Sequence, residues 1–84
     1  MDDALRQAVR EAVGTSEAYF VGGRLRDEEL GRPITDVDVA CLDPERAARE
    51  FRRLAGEAVF ELSARHGAWR VLYAGGITVD FVAM

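Results

Sequence analysis

The stretch ITDVDVACL, residues 34–42, decides the fold of this chain. It is rich in β-branched and apolar residues, and Asp36 and Asp38 alternate with Val37 and Val39 in the period-two pattern of a half-buried strand. Side chains two positions apart leave the same face of a strand. The two carboxylates are therefore predicted to point together, with their Cα atoms about 6.6 Å apart at roughly 3.3 Å per residue.

Helices are predicted on either side of this strand. One is predicted over residues 2–13 by apolar residues at helical spacing, Leu5, Ala8, Val9, Ala12 and Val13. Asp43 followed by Pro44 predicts the start of another that ends at Gly56. The buried stripe of this later helix is predicted to contain Ala47, Ala48, Phe51, Leu54 and Ala55.

The remaining segments predict short strands and one short helix. The strands cover residues 18–21, 59–62, 69–74 and 77–82, and the helix covers residues 23–30. This order predicts an α+β fold, a mixed β-sheet of about four to five strands with helices packed on one face. The other face of such a sheet is free to carry a site.

Composition limits the class of protein. The chain has 84 residues, 49% of them hydrophobic and 31% charged, which is typical of one globular domain. No apolar run approaches the roughly 20 residues that span a bilayer, and the N-terminus lacks a basic start, so a soluble, cytoplasmic protein without membrane contact is expected. Cys41, the single cysteine, excludes an internal disulfide. The net charge of -4 excludes a surface that coats nucleic acid, so an RNA substrate would be bound mostly by other residues.

Asp80 is the acid of an otherwise apolar strand. Residues 75–76, a glycine pair, predict a two-residue hairpin turn that sets Val71 opposite Asp80, with Trp69 and Tyr73 on the same face. The opposite, core side is predicted to contain Leu72, Ile77, Val79 and Phe81. A buried carboxylate needs a metal or a cationic partner. The alternatives are a face open to solvent, or a longer turn that reverses the register.

Three acids that share one face have the donor chemistry of a two-metal site. Asp36, Asp38 and Asp80 are predicted to hold two Mg²⁺ ions, with Mn²⁺ as the alternative, because these ions take oxygen ligands and keep phosphates in their shell. An Asp-x-Asp by itself is a weak signal, because alternating acids are more commonly typical of the solvent-exposed face of a half-buried strand.

A second candidate site lies in VGGRLR, residues 21–26. Gly22 and Gly23 stand between a predicted strand and a predicted helix, where a backbone can approach a triphosphate and aim free N–H groups at it. Arg26 can reach the same phosphates with its two-pronged guanidinium. The alternatives are a simple tight turn and a surface arginine paired with an acid such as Glu29.

The runs YFVGGRLRD (19–27), LGRP (30–33) and TDVDV (35–39) together resemble the head-domain signature of class II CCA-adding enzymes and bacterial poly(A) polymerases. The resemblance implies the polymerase-beta nucleotidyltransferase fold. It also implies transfer of a nucleoside monophosphate from ATP or CTP to an RNA 3′-end, with tRNA as the expected RNA, and release of pyrophosphate.

The resemblance also implies residue roles. Asp36 and Asp38 match the metal-binding catalytic acids, Gly23 and Arg26 match the nucleotide-contacting glycine and arginine, and Asp80 falls, by strand order, where the third carboxylate stands. The sequence departs from the pattern at Arg24, Glu28 and Glu29.

The resemblance covers only a head domain. Residues 1–84 are expected to form that domain as a fragment without the helical neck, body and tail, and to be weakly active or inactive alone. Two alternatives stay open: a small nucleotidyltransferase that modifies a protein or small molecule, and a non-catalytic nucleotide-binding module. No oligomeric state is predicted.

Overall fold

The computed structural model describes residues 3–14, 18–20 and 36–84. The helix predicted over residues 23–30 and the glycine pair before it lie outside the described residues. The elements follow the chain as α1 (Asp3–Val13), β1 (Ala18–Phe20), β2 (Asp36–Cys41), α2 (Pro44–Leu54), β3 (Ala58–Ser63), β4 (Ala68–Tyr73) and β5 (Ile77–Ala83). No helix in these described ranges is long and apolar enough to cross a membrane.

The strands form a five-stranded sheet in the order β1-β2-β5-β4-β3. β2 and β5 run parallel, while β1 pairs with β2, and β4 with both β5 and β3, in antiparallel fashion. The predicted mixed sheet is therefore confirmed. A parallel β2–β5 pair requires a crossover, and α2, β3 and β4 supply it.

One hydrophobic core lies between the sheet and the two helices. The stripe predicted for α1 is confirmed, with Leu5 and Val9 each only 1% exposed. The second helix adds Ala47, Ala48 and Phe51, and the helix side of the sheet supplies Val37, Val39, Cys41, Val71, Val79 and Phe81. Because successive residues of a strand alternate in direction, the residues between these point to the opposite surface, called here the open face.

The helix α2 begins as predicted and its stripe ends earlier than predicted. The Asp43 side chain accepts a hydrogen bond from the Arg46 backbone N–H at 3.3 Å. Phe51 is fully buried, whereas Leu54 is 37% exposed and Ala55 is exposed, so the prediction that both lie in the core is wrong. Helical geometry stops at Ala55 (φ -151°), so this residue does not continue the apolar stripe.

The turn between β4 and β5 corrects the predicted hairpin register. It contains three residues, Ala74–Gly76, rather than two, although both glycines have the predicted positive φ, 76° and 77°. Tyr73 consequently pairs with Ile77, one residue away from the predicted partner. Three-residue hairpin loops with glycine in the left-handed region are a common solution.

A one-residue shift exchanges the faces of a strand, and β4 shows the effect. Val71 lies in the core opposite Val79 rather than opposite Asp80. Leu72, predicted to be in the core, is on the open face and 37% exposed. The predicted partners of Asp80 on its own face, Trp69 and Tyr73, pack instead against the core.

Candidate active site on the open face

The parallel pairing of β2 with β5 brings the three candidate acids to one surface. Asp38 is the register partner of Asp80, and Asp36 is the register partner of Thr78. Residues paired in this way share a face, so Asp36, Asp38 and Asp80 all point from the open face. The geometric prediction that two strands bring three aspartates to one face of the sheet is confirmed, although it rested on the wrong hairpin register.

The core holds these strands from the other side. Val37 and Val39 alternate with the acids of β2 and are 2% and 0% exposed, while Val79 and Phe81, on either side of Asp80, are both 0% exposed. Turning either strand over would expose these side chains, at a cost of about 1.5–3 kcal/mol for each one. The direction of the carboxylates is therefore set by the apolar residues between them.

Asp36 is oriented by its neighbour in β5. The hydroxyl of Thr78 donates a hydrogen bond to Asp36 Oδ1 at 2.8 Å, across the parallel pair. Both side chains are half-buried. A hydroxyl donor of this kind restrains the direction of the carboxylate.

Asp80 has the cationic partner that its burial demands. Arg70, its register partner in β4, donates from Nε to Oδ1 at 2.7 Å and from Nη2 to Oδ2 at 2.9 Å. The hydrogen bond to Asp80 raises the pKa of the Arg70 guanidinium; burial opposes the rise, and the charges of Asp80, Asp36 and Asp38 add to it. Arg70 thus lies in the field of all three acids.

Sequence reasoning missed Arg70 as a site residue. The predicted two-residue turn paired Val71 with Asp80, whereas the observed register pairs Arg70 with Asp80. A signal was present, because Arg70 is the single charged residue of the strand AWRVLY and stands ten residues before the single acid of the next strand. Paired lone charges on adjacent strands indicate a cross-strand ion pair.

The donor chemistry of the open face suits divalent ions, because carboxylate oxygens are ligands that Mg²⁺ and Mn²⁺ prefer. In their present positions the three aspartates do not form a coordination shell around one ion. In the described part of the chain, no three His, Cys, Asp or Glu side chains gather closely enough to hold one ion. Both oxygens of Asp80 are directed at Arg70 instead.

The predicted nucleotide-contacting residues, Gly22, Gly23 and Arg26, lie outside the described residues. Their role, like the catalytic and metal-binding roles of the three aspartates, stays a prediction.

The sequence of residues 18–81 matches the family described as the poly A polymerase head domain. The chain belongs to this family. The matched range begins at β1 and reaches Phe81 in β5, so it includes every acid of the open face.

Curated relatives of the chain are named as a CC-adding tRNA nucleotidyltransferase and as CCA-adding enzymes. Over 68 residues, 81% of this chain, the sequence is 46% identical to a CC-adding tRNA nucleotidyltransferase of Thermus thermophilus. Over 61 residues, 71% of this chain, it is 46% identical to a CCA-adding enzyme of Streptococcus pyogenes. The chain spans only 15% and 14% of the length of these two relatives.

The fold is also similar to that of solved enzymes. A tRNA nucleotidyltransferase, solved in complex with a primer tRNA and an incoming ATP analogue, superposes with a TM-score of 0.67 at 28% identity. The similarity covers 94% of this chain and 22% of that one. The predicted nucleotidyltransferase fold is therefore confirmed.

Proposed function

We propose that this chain is the catalytic head of an RNA nucleotidyltransferase that transfers AMP or CMP from ATP or CTP to the 3′-end of tRNA. The observation that carries the proposal is the parallel β2–β5 pair, in which Asp38 lies beside Asp80 with Asp36 on the same face. Membership of the poly A polymerase head family and the names of the relatives support the substrate class.

In this proposal Asp36, Asp38 and Asp80 hold two divalent ions, Mg²⁺ or Mn²⁺. When bound, such ions neutralise the charge of the triphosphate and lower the pKa of the attacking 3′-hydroxyl. The contribution of the chain itself is to position the carboxylates. The core anchors the two strands, and the Thr78 hydroxyl orients Asp36, so the three carboxylates are held on one face of the sheet before substrate arrives.

Nucleotide and RNA are bound by different parts of the protein in this proposal. Gly22, Gly23 and Arg26 are proposed to hold the triphosphate. The chain's net charge of -4 supports RNA binding mostly by residues outside this head, since phosphate contacts draw on basic surface. A cytoplasmic location, where tRNA is found, accompanies this proposal.

The proposal is tested by incubating the polypeptide that carries this chain with α-labelled ATP or CTP, Mg²⁺, and tRNA that lacks its terminal CCA. Label is expected on the tRNA, and Asp38→Asn is expected to lower the rate on the order of 100-fold or more, because a charged ligand of the ions that neutralise the reacting phosphates is lost.

Glu45→Gln is the matched control. It also removes one negative charge, but from the exposed surface of α2, where Glu45 pairs only with Arg49 within the described contacts. Transfer by this variant is expected to equal that of the wild type. Label on protein or on a small molecule rather than on tRNA, or undiminished transfer by Asp38→Asn, would contradict the proposal.

A further inference from the structure

Four register partners form a row across the open face. Asp38 in β2 lies beside Asp80 in β5, Asp80 beside Arg70 in β4, and Arg70 beside Phe60 in β3. Neighbouring strands are about 4.8 Å apart, so each member of the row is in reach of the next. Among the described residues, Arg70 is thus the cation of this row, directly beside Asp80 and one strand further from Asp38.

The guanidinium of Arg70 has one anionic neighbour among its two register partners. On one side it meets Phe60, an apolar ring that is 42% exposed, and on the other side it meets Asp80. The side chains of Arg70 and Asp80 are 32% and 11% exposed, so the pair is largely withdrawn from water. A forked, charge-assisted pair in such a setting is strong, and removing one partner leaves the other poorly compensated.

This ion pair conflicts with metal binding at Asp80. The fork occupies an in-plane lone pair on each carboxylate oxygen, at 2.7 and 2.9 Å, and a positive guanidinium at that range repels a divalent ion. The conflict explains why the described acids share a face and yet do not converge on one point.

We propose that Arg70 is the internal counter-cation of the three aspartates, and that a divalent ion binds there only by displacing its guanidinium from Asp80. Arg70 stabilises the metal-free fold by balancing the acids, and it sets the metal affinity by competing for one ligand. The inference rests on the proposed function, because it takes the three aspartates as the metal ligands.

The test measures binding of Mn²⁺ alone, by electron paramagnetic resonance, and melting temperature with EDTA or with Mg²⁺. Arg70→Gln is expected to bind Mn²⁺ about tenfold tighter than wild type. In EDTA it is expected to melt at a lower temperature than wild type, and addition of Mg²⁺ is expected to raise its melting temperature by more. Arg65→Gln, which removes an arginine from the exposed turn between β3 and β4, is the matched control and is expected to behave as wild type.

Unchanged or weaker Mn²⁺ binding by Arg70→Gln, with normal binding by wild type, would overturn the competition and make Arg70 a positioning residue for Asp80. Nucleotide transfer to tRNA, measured on the same preparations, would then still support the proposed function. Absence of Mn²⁺ binding by every folded variant would overturn both.

A measurement on the wild type covers the case in which Arg70→Gln does not fold. The Nε–Hε resonance of Arg70, assigned in a ¹H–¹⁵N spectrum, is expected to shift and to exchange faster with water as Mg²⁺ is added. A resonance that stays unchanged at saturating Mg²⁺ would overturn the proposal.

Discussion

Asp38 and Asp80 are register partners in parallel strands, although a helix and two strands separate them along the chain. Two like charges directly opposite one another destabilise a sheet by a few tenths of a kcal/mol or more. This sheet tolerates the pair because Asp80 also meets Arg70 on its other side. The open face is therefore an arrangement of acids that needs positive charge, whether from an arginine or from bound ions.

Leu5→Ala and Leu54→Ala make the same truncation at two positions that the sequence pattern assigned to buried stripes. Leu5 is 1% exposed and Leu54 is 37% exposed. The first change is expected to lower the free energy of unfolding by about 2–5 kcal/mol and the second by less than about 1 kcal/mol, because only the first leaves a cavity. Urea denaturation measures both. Equal losses would contradict the burial of α2 described above.

Gly75→Ala and Gly56→Ala separate backbone strain from steric overlap. Gly75 has φ 76° with open space around it, so alanine is expected to cost about 1–2 kcal/mol from strain alone, and asparagine less. At Gly56 a Cβ would meet Val71 Cγ1 and, at 2.8 Å, Arg52 Cα, so the cost is expected to be higher, about 1–3 kcal/mol or more. Thermal unfolding of the three variants measures the order. A Gly75→Ala variant as stable as wild type would contradict the left-handed backbone conformation at Gly75.

Much of the fold could be predicted because periodicity reports directly on burial. The stripe of α1, the Asp43 cap of α2 and the alternation in β2 each follow from a local pattern that the core then enforces. The direction of Asp80 was predictable for the same reason, since Val79 and Phe81 on either side of it belong to the core.

Turn chemistry alone could not predict the partner of Asp80, because that partner depends on the number of residues in one turn; only the lone charges of Arg70 and Asp80 on adjacent strands indicated the pair. A glycine pair fits both a two-residue turn and a three-residue turn, and only the second pairs Arg70 with Asp80. Local sequence carries little information on that choice. The exposure of Leu54 depends likewise on where α2 ends against the sheet, which its apolar spacing does not report.

Cys41 makes the stability of the fold sensitive to alkaline pH. Burial raises the pKa of its thiol, the nearby Asp43 carboxylate adds to the rise, and a backbone hydrogen bond opposes it. In the unfolded chain the thiol ionises at about pH 8.5, whereas in the folded chain it stays protonated to higher pH. Its contribution to stability is thus fully present below about pH 8.5 and is lost as pH rises toward the folded pKa, with a slope of at most about 1.4 kcal/mol per pH unit.

Urea denaturation at several pH values between 7 and 10 checks this, with Cys41→Ala as the comparison. The wild type is expected to lose more stability above pH 8.5 than the variant does. Parallel losses in the two proteins would show that the thiol does not ionise differently in the folded and unfolded chains.

The central claim is that three aspartates on the open face bind divalent ions, and paramagnetic broadening by Mn²⁺ tests it most directly. Substoichiometric Mn²⁺ is expected to broaden the backbone amide resonances of Asp36, Asp38 and Asp80 first, and those of α2 last, because the helix lies across the sheet. Broadening centred on the acids of α2, Glu45 and Glu50, or spread evenly over the chain, would contradict the claim.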